Sequence, residues 1–211
     1  MSSELHHTLL SAVSPFDQGV SALKLKVLRN TSENPLRPNR TAAVLVPVLD
    51  KPEPEILLTV RSELLLQHPG QVSFPGGSVE RRDRSAVSTA LREAEEEIGL
   101  DFSQVSPLGF LDRLDTISDY RVLPVVGLVR SSFKWKPDLN EVSEVFTVPL
   151  NIAVDRREYS HQEVFEGGRK FVISTLNWQG HKIWGITAAI LLNFGSRLRS
   201  IDHEVAGFGQ S

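Results

Sequence analysis

The chain has 211 residues, of which 40% are hydrophobic and 23% charged, with a formal net charge of -3 and no cysteine. This composition is typical of a globular protein and excludes disulfides, thiol nucleophiles and cysteine-ligated zinc. The charge gives no overall field that favours nucleic acid or an anionic membrane, so we expect neither partner, and cations or local Lys and Arg side chains must neutralise any polyanionic ligand.

The amino-terminal part of the chain, residues 1–40, is predicted to be a helical or partly irregular lead-in that packs on the domain. It ends in the breaker-rich sequence SENPLRPNR. It lacks a basic leader followed by a long hydrophobic region, and the apolar stretch Ile186–Phe194 is too short to span a bilayer. We therefore expect a cytoplasmic protein.

Three strands are predicted before the first long helix. The continuous apolar run Ala42–Val48 is typical of a strand buried on both faces, and Ile56–Arg61 follows it after a turn. A third segment, Gln71–Gly77, ends where proline and two glycines disfavour regular structure.

The clearest helix is predicted at about Ser85–Ile98, with Asp83 or Ser85 as its amino-terminal cap and Gly99 after its end. Apolar residues at steps of three and four predict a buried stripe along this helix. The stripe consists of Val87, Ala90, Leu91, Ala94 and Ile98.

Four further strands and a second helix are predicted beyond Gly99. The strands are LGFLDRL, RVLPVVGLV, EVFTVPL and RKFVISTLNW, and the helix is Trp184–Leu198, followed by a loose polar end from Ile201. Strands combined with two well-separated helices predict an α/β fold in which helices cover a mixed sheet.

Three glutamates of the first helix carry the chemical prediction. Glu93, Glu96 and Glu97 are spaced i, i+3, i+4 and therefore lie on one side of the helix. Their mutual repulsion and the helix dipole both disfavour this arrangement, which suggests a compensating cation. Carboxylates suit Mg²⁺ or Mn²⁺, which can promote phosphoanhydride hydrolysis. The alternative is a solvated acidic face paired with basic residues such as Arg92.

Two motifs then point to a family. Residues 92–100, REAEEEIGL, resemble the second half of the Nudix box, R-E-U-x-E-E-x-G-U with U apolar, at every fixed position. In the first half Asp83 replaces the usual glutamate after Gly77, and eight rather than seven residues separate it from Arg92. Residues 57–77, LLTVRSELLLQHPGQVSFPGG, resemble the signature of the coenzyme A pyrophosphatase subgroup, although Leu66 replaces its second arginine. Residues 184–187 are similar to the start of the subgroup's last helix.

The resemblance covers about residues 40–195 and implies a Nudix-type α/β/α sandwich with a mixed β-sheet. The implied domain is 41–199, followed by a polar tail at 200–211. The implied reaction is metal-dependent hydrolysis of coenzyme A or a derivative to 4′-phosphopantetheine and adenosine 3′,5′-bisphosphate. Leu66 supports the alternative of ADP-ribose, a dinucleotide or a nucleotide sugar as substrate. A second alternative is a binding module without catalysis, and a homodimer is a further expectation.

The resemblance also implies roles for individual residues. Glu93 and Glu97 would be the principal ligands of Mg²⁺ or Mn²⁺, with Glu96 a further ligand or a base. Arg92 would orient a glutamate, unless it forms an ordinary surface ion pair. A glutamate beyond the box would supply the general base, and the sequence does not choose between Glu141 and Glu144. The predicted substrate-binding group is Arg61, Ser62, His68, Gly76 and Gly77.

Overall fold

The computed structural model describes residues 3–16, 40–116, 120–166 and 169–207. Most of the predicted lead-in therefore lies outside the described residues. The described helices are α1 (Ser3–Ser11), α2 (Ala86–Ile98), α3 (Leu150–Ala153) and α4 (Gly185–Gly207). The described strands are β1 (Arg40–Asp50), β2 (Glu55–Arg61), β3 (Val72–Ser73), β4 (Gly76–Ser78), β5 (Val105–Phe110), β6 (Leu114–Asp115), β7 (Tyr120–Arg130), β8 (Val142–Pro149), β9 (Ser160–Glu166), β10 (Arg169–Trp178) and β11 (His181–Ile183).

Most of the described strands form one mixed sheet with the central order β3-β2-β1-β7-β5. β1 and β7 are parallel over their whole length, whereas β2 and β4 pair antiparallel to β1. β8 pairs antiparallel to β2. The predicted mixed sheet is confirmed.

Helices cover this sheet on both faces, and β1 shows why. Its residues alternate between two cores, as the period of a strand requires. Ala43 and Leu45 face the core that contains α2, whereas Val46 and Val48 face the core that contains α4. Because both faces of β1 are buried, its sequence is continuously apolar. The predicted α/β/α sandwich is confirmed.

The first long helix, α2, has the limits that its sequence predicts. Ser85 is the cap, and its hydroxyl accepts the Ser88 amide while the Ser88 hydroxyl accepts the Ser85 amide. The helix ends at Gly99, whose φ of 69° is a left-handed conformation that glycine favours. The buried stripe differs from the predicted one, since Val87 and Leu91 are only partly buried. Its buried members are Ala86, Thr89, Ala90, Ala94, Glu97 and Ile98.

The remaining segments match the prediction less closely. The predicted strand over residues 108–114 is interrupted, because β5 ends at Phe110 and β6 begins at Leu114. β9 and β11 were not predicted, and they flank β10 in a separate three-stranded sheet within the described part of the chain. α4 continues past the predicted end at Leu198, because polar residues without proline do not terminate a helix. The predicted loose end from Ile201 was therefore wrong as far as Gly207.

The described amino-terminal segment contacts the core and the strand β5. Leu9 of α1 is fully buried, and Ser14 exchanges two backbone hydrogen bonds with Phe110 of β5. Among the described residues, no helix combines the length and apolar character needed to cross a membrane.

Candidate active site

Glu97 is the buried carboxylate of the site. It lies in the last turn of α2 and exposes 4% of its surface. Burial raises the pKa of Glu97 to about 8, and the nearby charge of Glu93 adds to the shift. A hydrogen bond from the Gly76 backbone and the charge of Arg61 offset only part of it. A cation that joined this carboxylate would remove the unfavourable burial of its charge.

Glu93 lies one turn earlier, against the strand that carries the two glycines. Its side chain is 13% exposed, and a Cβ placed on Gly77 would lie 2.5 Å from its Oε1 atom. A Cβ placed on Gly76 would lie 2.5 Å from the Ala43 carbonyl oxygen of β1. Glycine is therefore required at position 76, where backbone atoms of β1 leave no room, whereas a side chain at position 77 would displace the Glu93 carboxylate. Burial also raises the pKa of Glu93, although Arg92 opposes the shift.

Glu96 lies on the solvent-exposed side of the other two glutamates. Its side chain is 45% exposed, and it pairs with Arg82 at 3.1 Å and with Arg92 at 2.8 Å. At about 100° per residue, Glu93 and Glu97 lie about 40° apart around the helix, whereas Glu96 lies about 60° from Glu93 and about 100° from Glu97. The charge of Glu96 helps to raise the pKa of Glu93, and Arg92 Nη1 contacts both carboxylates. The role of Glu96 as a further ligand or a base stays a prediction.

Arg92 is held by an acidic residue whose role the sequence left open. Asp83 accepts two hydrogen bonds at 3.1 Å, from Arg92 Nε and Nη2, and its side chain is 3% exposed. Burial opposes its charge, but Arg92, the Glu80 amide and the Thr89 hydroxyl keep the pKa of Asp83 below its ordinary value. Arg92 Nη1 in turn lies 2.8 Å from Glu93 Oε1. Since Ser85 is the helix cap, Asp83 instead anchors Arg92 beside Glu93.

Arg92 is therefore not an ordinary surface ion pair. It is largely buried, and its guanidinium bridges Asp83, Glu93 and Glu96. Sequence reasoning missed this arrangement. The motif offered a signal, because Asp83 stands close to where the Nudix box places an acidic residue, but the longer spacing obscured it.

The two candidate bases have different surroundings. Glu141 belongs to a turn that is bonded to the ends of β2 and α2, since the Glu141 carbonyl oxygen accepts the Ser62 amide and the Asp138 amide donates to the Glu97 carbonyl oxygen. The charge of Glu141 is also one of the causes that raise the pKa of Glu93 and of Glu97. Glu144 lies on the α4 side of the sheet, where its Oε1 is 3.4 Å from His181 Nε2. That imidazole stacks on Phe146, a member of the core that contains α4.

The predicted substrate-binding residues have different environments. Arg61, at the end of β2, is close enough to Glu97 to lower its pKa. Ser62 is buried, and its hydroxyl donates to the Leu139 carbonyl oxygen at 3.1 Å. His68 is exposed in the following loop, with a positive φ of 57°. The structure therefore brings Arg61 and the two glycines to the glutamates, but it does not bring the side chains of Ser62 and His68 to them.

The donor set fits a hard divalent cation held by two carboxylates. The described part of the chain contains no ready group of three or more His, Cys, Asp or Glu residues for a metal. Mg²⁺ nevertheless binds through one or two carboxylates and completes its shell with water and substrate phosphate oxygens. Glu93 and Glu97 supply such a pair, and the raised pKa of Glu97 is what a carboxylate placed for a cation shows without one.

Comparison with known proteins identifies relatives. A family model described as the NUDIX domain matches residues 39–166. The chain is 41% identical over 160 residues to the uncharacterized Nudix hydrolase NudL of Pectobacterium atrosepticum, which covers 76% of this chain and 83% of that protein. It is 42% identical over 153 residues to NudL of Photorhabdus laumondii, described in the same words, with 72% and 82% covered.

Solved structures show the same fold. The MutT protein of Methanosarcina mazei superposes with a TM-score of 0.51 at 19% identity, covering 80% of this chain and 99% of that one. A binary complex of the Caenorhabditis elegans Ap4A hydrolase gives a TM-score of 0.50 at 18% identity, with 79% and 98% covered. At such low identity these likenesses concern the fold alone.

Proposed function

Because the chain belongs to the Nudix hydrolase family, we propose that it cleaves the diphosphate bond of coenzyme A or one of its derivatives. The products are 4′-phosphopantetheine and adenosine 3′,5′-bisphosphate. One observation carries the proposal of a hydrolytic site: Glu97 is a buried carboxylate at the Gly76–Gly77 turn, with Glu93 one turn away and the charge of Arg61 acting on it. A divalent cation and a diphosphate together complement these charges.

Nudix hydrolases generally use divalent metal ions such as Mg²⁺ or Mn²⁺. In the proposed site Glu93 and Glu97 hold the ion, and Arg92, fixed by Asp83, orients the Glu93 carboxylate. The bound ion supplies charge neutralisation and electrophilic activation of the diphosphate. Arg61 binds a phosphate oxygen of the substrate, for which the rigid geometry of a guanidinium is suited.

Glu141 is the proposed general base. A carboxylate next to the attacking water accepts one of its protons as the oxygen forms a bond to phosphorus. The bond between that phosphorus and the bridging oxygen breaks, and the bridging oxygen leaves as part of the second phosphate. The turn that carries Glu141 is bonded to the Glu97 carbonyl oxygen and to the Ser62 amide, which supports this role, whereas the contact of Glu144 with His181 does not.

Hydrolysis of coenzyme A in ¹⁸O-labelled water tests the reaction. With Mg²⁺ or Mn²⁺ present, mass spectrometry is expected to find the two named products, with the label in one phosphate only. The labelled product identifies the attacked phosphorus. Intact coenzyme A after long incubation, under conditions where another diphosphate is cleaved, would contradict the substrate.

Leu66 favours a second candidate substrate class. It stands where the coenzyme A subgroup has an arginine, and its side chain is fully exposed. A leucine cannot bind a phosphate, so the same chemistry on ADP-ribose, a dinucleotide or a nucleotide sugar is the second candidate. A substrate panel separates the two, because faster turnover of ADP-ribose than of coenzyme A would reverse our choice. The homodimer and the cytoplasmic location stay predictions.

A further inference from the structure

Ser62 is a buried polar residue that the proposed mechanism does not use. It follows Arg61 at the end of β2, and its backbone and side chain both bind the segment that leads into β8. Its amide donates to the Glu141 carbonyl oxygen at 2.8 Å, and its hydroxyl donates to the Leu139 carbonyl oxygen at 3.1 Å. The same hydroxyl accepts the Leu64 amide at 3.4 Å. These contacts occupy the hydroxyl inside the fold, so it is not available to a substrate.

The segment that Ser62 binds is a turn attached to the end of α2. The Asp138 amide donates to the Glu97 carbonyl oxygen at 3.0 Å, and the Asp138 carbonyl oxygen accepts the amides of Glu141 and Val142 at 2.9 and 2.8 Å. The Asp138 carboxylate also accepts the Asn140 amide at 3.0 Å. The turn is therefore held by α2 on one side and by Ser62 on the other. Glu141 is exposed and lies between these two attachments.

We propose that Ser62 is a positioning residue that fixes Glu141 relative to Arg61 and Glu97. This inference rests on the proposed function, because it assigns the placement of the general base to the strand end that also presents the phosphate-binding arginine. Without the Ser62 hydroxyl, the Leu139 carbonyl loses its partner, and only the backbone bond from the Ser62 amide to the Glu141 carbonyl still holds the turn on that side. A shift of about 1 Å in a reacting group can lower a rate 100-fold.

The test compares Ser62→Ala with Ser143→Ala. Ser143 also ties β8 to β2, since its hydroxyl donates to the Val60 carbonyl oxygen at 3.2 Å, but it does not contact the Glu141 turn. Ser62→Ala is expected to lower kcat about ten-fold with KM changed less than about two-fold, because it moves the base and not the substrate site. Ser143→Ala is expected to keep the wild-type kcat. Equal kcat values for the two variants would overturn the proposal.

A double-mutant cycle with Glu141→Gln separates positioning from general destabilisation. If Ser62 acts through Glu141, Ser62→Ala has little further effect on kcat once the base is absent. Effects that multiply would show that Ser62 acts elsewhere and would overturn the proposal. Asp138→Ala weakens the same turn from an exposed position, so it provides a variant that keeps the buried serine. We expect it to lower kcat and to be non-additive with Glu141→Gln in the same way.

Hydrogen exchange gives a result that does not depend on turnover. The amides of Glu141 and Val142 are expected to exchange about ten-fold faster in Ser62→Ala than in Ser143→Ala. Equal exchange rates in the two variants would show that the Ser62 hydroxyl does not hold the turn, and this result would stand even if no substrate were cleaved. If Glu97→Gln abolishes hydrolysis while Glu141→Gln does not, the hydrolase proposal survives and the positioning inference fails.

Discussion

Glu96 and Glu97 are neighbours in one motif and on one helix, yet their surroundings are opposite. Glu96 is exposed and paired with two arginines, so its charge is compensated. Glu97 is buried and the charge of Glu93 lies one turn away, so its ionised form is disfavoured. The difference shows that the residue type in a motif does not assign its role. The direction of the side chain relative to the sheet assigns it.

The largest expected effect comes from removing the buried carboxylate. Glu97→Gln is expected to lower kcat about 1000-fold, because an amide is a weaker ligand for a divalent ion and several kcal/mol of electrostatic activation is lost. The fold should be retained, which circular dichroism and thermal unfolding check. Glu95→Gln, an exposed neighbour on the same helix, is the matched control and should keep full activity. Unchanged turnover in Glu97→Gln would reject the metal assignment.

The next effect concerns the two glutamates that flank the start of β8. Glu141→Gln is expected to lower kcat about 100-fold as the general base is lost, and Glu144→Gln is expected to leave kcat close to the wild-type value. Steady-state kinetics with saturating Mg²⁺ decides between them. The opposite result would place the base on the α4 side of the sheet and would refute the separation of the two faces.

A smaller effect is expected from breaking the buried ion pair between Asp83 and Arg92. Asp83→Asn leaves Arg92 without its anchor, so we expect a loss of about 2 kcal/mol in unfolding free energy and a fall of about ten-fold in kcat. Asp115→Asn breaks an exposed pair with Arg121 at 3.0 Å, which should cost less than about 1 kcal/mol. Denaturant unfolding and kcat are measured for both variants. Equal losses of stability would contradict the anchoring role of Asp83.

The remaining effect is a pH dependence of the stability of the metal-free protein. The pKa of Glu97 is about 8 in the folded chain against an ordinary value of 4.5, so the folded state binds a proton at this carboxylate more tightly than the unfolded state does. The stability that protonation of Glu97 contributes is therefore complete below pH 4.5 and is lost as the pH rises to about 8. The slope is at most about 1.4 kcal/mol per pH unit.

The slope is obtained by measuring the free energy of unfolding at several pH values in this range, with a chelator present to remove metal ions. Glu97→Gln should reduce it, and Glu95→Gln should not. Mg²⁺ should stabilise the wild-type protein most at the alkaline end, because the ion binds the ionised carboxylate. A wild-type slope identical to that of Glu97→Gln would contradict the burial of this charge.

Much of the fold follows from local patterns. The apolar run of β1 predicted a strand buried on both faces, and the serine and glycine at the ends of α2 predicted its limits. The strands β9 and β11 were missed, because their sequences SHQEVFE and HKI carry few apolar residues, and each strand is stabilised by pairing with its neighbour β10. The end of α4 was misplaced because polar composition was taken for loss of helix.

The amino-acid sequence by itself determined the family, the sandwich architecture and the presence of Glu93 and Glu97 on one helix. These depend on residue identity and on spacing along a single element, which helical and strand periods convert into position. The tertiary structure alone decided that Glu97 is buried while Glu96 is exposed, that Asp83 holds Arg92, and that Glu144 contacts His181. Each of these depends on contacts that a side chain makes with another element or loop, and such contacts are set by packing and pairing.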